Sequence, residues 1–289
     1  MSEALIAAVI GLLVIPALTR RVRSSLSPAE WVRVNTASLV AGVTLFEIAL
    51  IICAAPIVLY LVHGGVQRHF FPGGIYAGWV SLIGAIVIPV SLLIGILGVL
   101  STRRRLRPDP WFGEHTIVDG MDLVVVPTAT HLAFALPGRP AQIVVSQGLV
   151  DVLTESELAT VIKHEAAHIR YHHSRYLLVI AALAPLFGRI RPVRESLDSL
   201  ELSIECWADA AATRTAAERD SGRTALLALS HIDYGQGIAA FSQAEATAAR
   251  IQALTDGHSD PAIRVRSVLY TAIGMLLFIP IVALWLFAS

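Results

Sequence analysis

The chain has 289 residues and no net charge, with 15% charged and 55% hydrophobic side chains. A soluble globular domain carries about 25% charged residues, so this composition, with a mean hydropathy of +0.66, points to a membrane protein. Neutral overall charge gives no support to a chain-wide nucleic-acid-binding or acidic-partner surface, and two cysteines, Cys53 and Cys206, do not suggest a disulfide framework.

A bilayer-spanning helix takes about 20 apolar residues. Four runs qualify as spans: about 4–19, 38–62, 76–100 and 267–288. Ser2 and Glu3 precede the first, where a signal peptide would carry Lys or Arg, so the segment reads as retained. The second carries Glu47, a costly charge at that depth that belongs in a protonated or hydrogen-bonded state inside the bundle. Pro16, Pro56, Pro89 and Pro280 are compatible with membrane helices, where neighbouring groups satisfy the freed carbonyls.

Basic residues set the orientation. Arg20, Arg21, Arg23 and Arg33 follow the first span, Arg103, Arg104, Arg105 and Arg107 follow the third, and Arg264 and Arg266 precede the fourth. The intervening loop, 63–75, holds one Arg and no Lys. All four spans then agree on both termini outside and 101–266 in the cytoplasm. The expected division is a three-span region (1–100), a cytoplasmic domain (101–266) and a C-terminal span (267–289) of a multi-pass cell-membrane protein. A fifth apolar run, 177–187, is too short to cross.

Within the cytoplasmic segment, 101–120 reads as a charged linker with Pro108, Pro110 and Gly113. From 121 to 146, MDLVVVP, HLAFALP and QIVVS are short strand-like runs broken by Pro127, Pro137-Gly138 and Pro140, which predicts a hairpin or a three-stranded sheet. Thr154 and Glu157 then form a capping box, and Leu158, Val161, Ile162 and Ile169 recur at helical spacing from about residue 155. Further helix is expected over 195–218, 223–232 and 242–256.

The helix beginning near 155 carries KHEAAHIRYHH (163–173), which contains four of the chain's ten histidines. His164 and His168 are four residues apart and share a helix face, so their imidazoles can converge on one ion. Glu165 is adjacent, able to reach a metal-bound water without ligating. This is the His-Glu-x-x-His arrangement of zinc proteases. The competing reading is a solvated, His-rich helix face. A catalytic zinc also needs a third protein ligand and an open position. SIECWADAA (203–211) offers Glu205 as that ligand, with Asp209 one turn on to reach a ligating histidine's second nitrogen. Glu201 and His172 are rivals for the third place, His172 being four residues beyond His168 on nearly the same face of a continuous helix.

HEAAH followed by Glu205-Cys206-Trp207-Ala208-Asp209, together with AFALPGRPAQIVVSQGLVDVLTESELATVIK (133–163) ahead of it, resembles the BlaR/MecR-type family of integral-membrane gluzincin metallopeptidases. The HtpX/CAAX-protease family shares the same core. The similarity spans about 131–215. It implies a mainly α fold, with multi-span membrane helices and a cytoplasmic zincin-like α+β metalloprotease domain carrying a small β-sheet. It further implies one Zn2+ held by His164, His168 and Glu205, Glu165 as the base and Asp209 behind the ligands. The expected activity is zinc endopeptidase cleavage of a protein or peptide at the cytoplasmic membrane face, a transcriptional repressor being the regulatory substrate the family suggests. Alternatives are membrane-protein quality control of the HtpX kind, or a receptor or scaffold with a structural metal. No sensor domain follows the fourth span in this sequence, so a β-lactam-sensor role is not expected of this chain. His231, Tyr234, Arg214 and Arg250 are candidate transition-state donors. The strand near 131–136 is a candidate edge for pairing with an extended substrate. Partners are the bilayer and the substrate, with a homo-oligomer open and no nucleic acid.

Overall fold

The computed structural model describes residues 10–21, 23–63, 74–105, 113–232 and 238–256. They group into two units. One holds the described residues up to Val99 with Val179–Leu200; the other holds those of Leu100–Leu178 and Glu201–Ser259.

The first unit is helical. A π-helical turn, Ile10–Val14, leads into α1 (Ile15–Arg20), so only part of the expected first span is described. Helix α2 (Pro28–His63) is 36 residues long and begins on a reciprocal cap. Glu30 accepts from the Ser27 backbone N–H (3.1 Å) and hydroxyl (2.7 Å), while the Ser27 hydroxyl accepts from the Glu30 N–H. Its first turns are anchored by two buried bonds: Trp31 Nε1 donates to Ser199 Oγ at 3.0 Å, and Asn35 Nδ2 to the Ser196 carbonyl at 2.7 Å. Helix α3 (Gly74–Arg105) has 32 residues and exposes Val80, Ile83, Ile86, Leu93 and Ile94. At 1.5 Å per residue it is about 48 Å long, more than a hydrocarbon core of about 30 Å requires. Two described helices are thus long and apolar enough to cross a membrane; they contain the expected second and third spans. The fourth expected span lies outside the described residues.

The second unit holds a four-stranded mixed sheet, β1 (Glu114–Val118), β2 (Met121–Val126), β3 (Ala133–Leu136) and β4 (Gln142–Ser146), in the order β1-β2-β4-β3. β2 and β4 run parallel, and the two outer pairings are antiparallel. The expected three strands are present. β1 is an addition that corrects the linker reading of 101–120: α3 runs through to Arg105, and 114–118 is strand. Its side chains are almost all exposed, so no buried alternation marks it in the sequence; its pairing with β2 across the tight turn at Asp119-Gly120, both at positive φ, creates it.

The sheet has two covered faces. Val124, Val126, Leu136 and Val144 cluster on one. On the other, Met121, Ile143 and Val145 pack with Leu149, Leu153 and Ala225, against which Leu158, Val161, Ile162 and Ile169 are laid. Helix α4 (Gln147–Val152) starts where Ser146 Oγ accepts from the N–H groups of Leu149 and Leu132. Gly148 permits this turn, since a Cβ there would lie 2.3 Å from the Ala129 carbonyl oxygen. Four helices follow: α5 (Glu155–Arg170), α6 (His173–Phe187), α7 (Arg191–Ala212) and α8 (Ala216–Ile232); α9 (Ile238–Asp256) is the last described. The single stretch expected over 195–218 is therefore two helices, parted at 213–215. The apolar run at 177–187 is the later part of α6, whose 15 residues are too few to span.

Candidate metal centre

Helix α5 begins on the capping box read from the sequence. The Thr154 hydroxyl accepts from the Glu157 N–H, and the Glu157 carboxylate accepts from the Thr154 N–H at 2.9 Å. About two turns beyond Glu157, the helix presents His164 and His168 on one face, their rings edge-on with centroids 4.8 Å apart. Helix α7 brings Glu205 to the same point. His164 Nε2 is 3.1 Å from His168 Nε2, and the Glu205 carboxylate oxygens lie 3.3 and 3.6 Å from the two nitrogens. Donors at 2.0–2.1 Å from a tetrahedral zinc are separated by about 3.3 Å, so this triangle has the spacing of three tetrahedral ligands. Two imidazoles and a carboxylate are also the donor set of catalytic zinc sites that keep a fourth position open. Among the described residues these three are the group whose ligand atoms converge in this way.

Groups behind the three candidate ligands fix their orientation. Asp209 Oδ1 is 2.9 Å from His164 Nδ1, which leaves Nε2 of that ring facing the triangle. Arg250, from α9, grips Asp209 through Nε and Nη2, both at 2.7 Å, and its Nη1 lies 3.3 Å from Glu205. His173, fully buried at the start of α6, places Nδ1 3.1 Å from His168 Nδ1. Trp207 and Tyr171 pack around the His173 ring at 4.7 and 6.0 Å.

The electrostatics suit a cation. Burial works to raise Glu205, but the hydrogen bond and charge of His164 and the charges of Arg250 and His168 hold its carboxyl well below the usual range. Asp209 is likewise held low against burial by Arg250 and His164. Burial works to lower His164, yet Asp209 and Glu205 outweigh it and push the imidazole up to about 10. His168 is pushed down to about 4, chiefly by burial, and stays neutral. Glu165 has its pKa raised, chiefly by burial.

Glu165 lines both cavities that adjoin the triangle. One, of about 360 Å3, runs along β3 past Phe134, Leu136, Ile169 and Leu177. The other, of about 320 Å3, extends between α5, α7, α8 and α9 and is walled by Val161, Ala225, Leu226, Leu229 and Leu254. β3 is an outer strand of the sheet, paired to β4 alone.

The other sequence candidates fall elsewhere. Arg214 is exposed and lines a different groove with Lys163, Arg170 and Glu218. Arg250 is committed to Asp209 and Glu205. Glu201 is exposed. His172 is also exposed and, contrary to the expectation, is not on the His168 face: α5 ends at Arg170 and His172 takes φ +55°. The side chain of His231 and all of Tyr234 lie outside the described residues.

A family comparison bears on this arrangement. Residues 120–193 match the model of peptidase family M48. The M48 match takes in β2, β3, β4, α4, α5 and α6 with the HEAAH motif, and ends before Glu205, Asp209 and Arg250. It points to a metalloprotease. No curated protein and no solved structure matches the chain.

Proposed function

We propose that the chain is a membrane-embedded zinc endopeptidase that cleaves a protein at the cytoplasmic membrane face. The observation that carries this reading is the triangle of His164, His168 and Glu205 with Glu165 beside it, facing both cavities. A divalent cation held by the three ligands supplies Lewis acidity, polarising a carbonyl and acidifying water. Glu165, half-buried and basic enough to accept a proton, takes it from the attacking water and returns it to the leaving nitrogen. Substrate backbone lies along the outer edge of β3, which sets the scissile carbonyl beside Glu165. Apolar side chains of the substrate occupy the two cavities. The helices that precede the site, in a multi-pass arrangement with both termini outside, restrict its substrates to proteins in or near the bilayer.

A structural metal in a non-catalytic receptor has no use for a non-ligating carboxylate at Glu165, which disfavours that alternative. Regulatory cleavage, a repressor being one such substrate, and membrane-protein quality control differ only in breadth. One experiment addresses both questions. In cells expressing Glu165→Ala in place of the wild type, membrane and soluble proteomes should show substrates accumulating, while the purified variant keeps its zinc and loses about 10²–10⁴ of its rate. One or two stabilised proteins mean regulation; many mean quality control. Cleavage at the wild-type rate by Glu165→Ala overturns the mechanism.

A further inference from the structure

The ring of His173 raises a question of proton placement that the ligand triangle answers. With Nε2 of His168 turned to the triangle, a neutral His168 carries its proton on Nδ1. The atom facing that N–H, 3.1 Å away, is Nδ1 of His173. It can receive the bond only through a lone pair, so the His173 proton sits on Nε2. That nitrogen is buried with no hydrogen-bond partner among the described residues. Leaving a buried N–H unpaired is costly; the ring adopts this orientation because its other nitrogen serves His168.

We propose that His173 is a positioning residue for the metal centre: as a neutral Nε2–H imidazole it accepts from His168 Nδ1–H, fixing that ligand's tautomer and raising the basicity of its coordinating nitrogen. Metal-ligating histidines generally donate their second N–H to a carboxylate, a carbonyl or water. Here the two ligating rings are supported unequally, His164 by a carboxylate clamped by Arg250 and His168 by an uncharged imidazole. His168 is the more weakly polarised ligand of the pair. The chain reaches this contact through its backbone. On a continuous helix, position 173 would point about 140° away from position 168. The left-handed His172, whose N–H still bonds the Ile169 carbonyl at 3.2 Å, reverses the path and returns His173 to the ligand. Trp207, two residues past Glu205 on α7, and Tyr171 then hold the ring in place.

This inference rests on the zinc reading above, and its test separates the two. Zinc dissociation constants are measured by chelator competition on the full chain in detergent, for wild type, His173→Phe and His173→Asn. Phe keeps a ring and removes the acceptor; Asn restores an acceptor oxygen near the place of Nδ1. Phe should weaken zinc about 10–100-fold and lower kcat more than it changes KM, and Asn should recover most of both. A wild type that binds no zinc fails the parent reading. A wild type that binds while Phe binds equally well, or while Asn is as weak as Phe, overturns the role of His173 alone. If Phe does not fold, long-range nitrogen–proton spectra of the zinc-loaded wild type decide. A His173 proton on Nε2 supports the assignment, and one on Nδ1 contradicts it.

Discussion

Asp209 shows how a single side chain couples charge to geometry. It accepts two bonds from Arg250 and faces His164 Nδ1, so its carboxylate stays ionised in a buried setting and turns one imidazole toward the ligand triangle. The same pairing raises His164 to about 10, which has a consequence for binding. Below that pH the free site carries a proton on His164 that an incoming cation must displace, so affinity is lost as pH falls and gained as it rises. Apparent zinc affinity should drop about tenfold per pH unit between pH 8 and 6, with about one proton released per ion. Calorimetry in buffers of different ionisation enthalpy measures that proton; pH-independent binding across this range would refute the assignment. At this scale the sequence was informative. His164, Glu165 and His168 declare themselves by helical spacing, and Glu205 with Asp209 by the same four-residue interval. His173 did not, because its contact depends on a left-handed residue that a histidine does not advertise. Arg250 stands out in the sequence only as one cation among several, since its partners lie 41 or more residues away in the chain.

The turn between α5 and α6 is the element on which this geometry pivots. Tyr171 closes α5 by donating its N–H to the Ala167 carbonyl, and His172 at φ +55° starts the new direction. A non-glycine residue there costs about 1–2 kcal/mol. His172→Gly should therefore stabilise the domain by about 0.5–1 kcal/mol and leave zinc binding intact, whereas the β-branched His172→Val should destabilise it by about 1–2 kcal/mol and weaken zinc. Thermal or denaturant unfolding with and without zinc measures both; a tolerated valine would mean the turn is not required. The elements themselves were read well where periodicity or capping spoke, as at Thr154 and the apolar face of α5. They were missed where tertiary pairing alone makes the structure. β1 is exposed along nearly its whole length, and the break at 213–215 is decided by the Thr215–Glu218 cap, in which the Glu218 carboxylate accepts from the Arg214 and Thr215 N–H groups at 2.9 Å.

At the scale of the whole molecule, the composition and the two long apolar helices suggest a membrane location, and the arginine pattern predicts a direction with both termini outside. In a background lacking Cys53 and Cys206, a cysteine at position 116 on β1 should react with an impermeant maleimide only after cell lysis, and one at position 65 should react in intact cells. The reverse pattern would invert the topology. The proposed activity requires one cation bound between α5 and α7 by His164, His168 and Glu205. The zinc content of the purified full chain, measured by elemental mass spectrometry, tests it most directly. One zinc per wild-type chain, lost on Glu205→Ala, is the expected result; a wild type that takes up no zinc, or a Glu205→Ala chain that holds it as firmly, contradicts it.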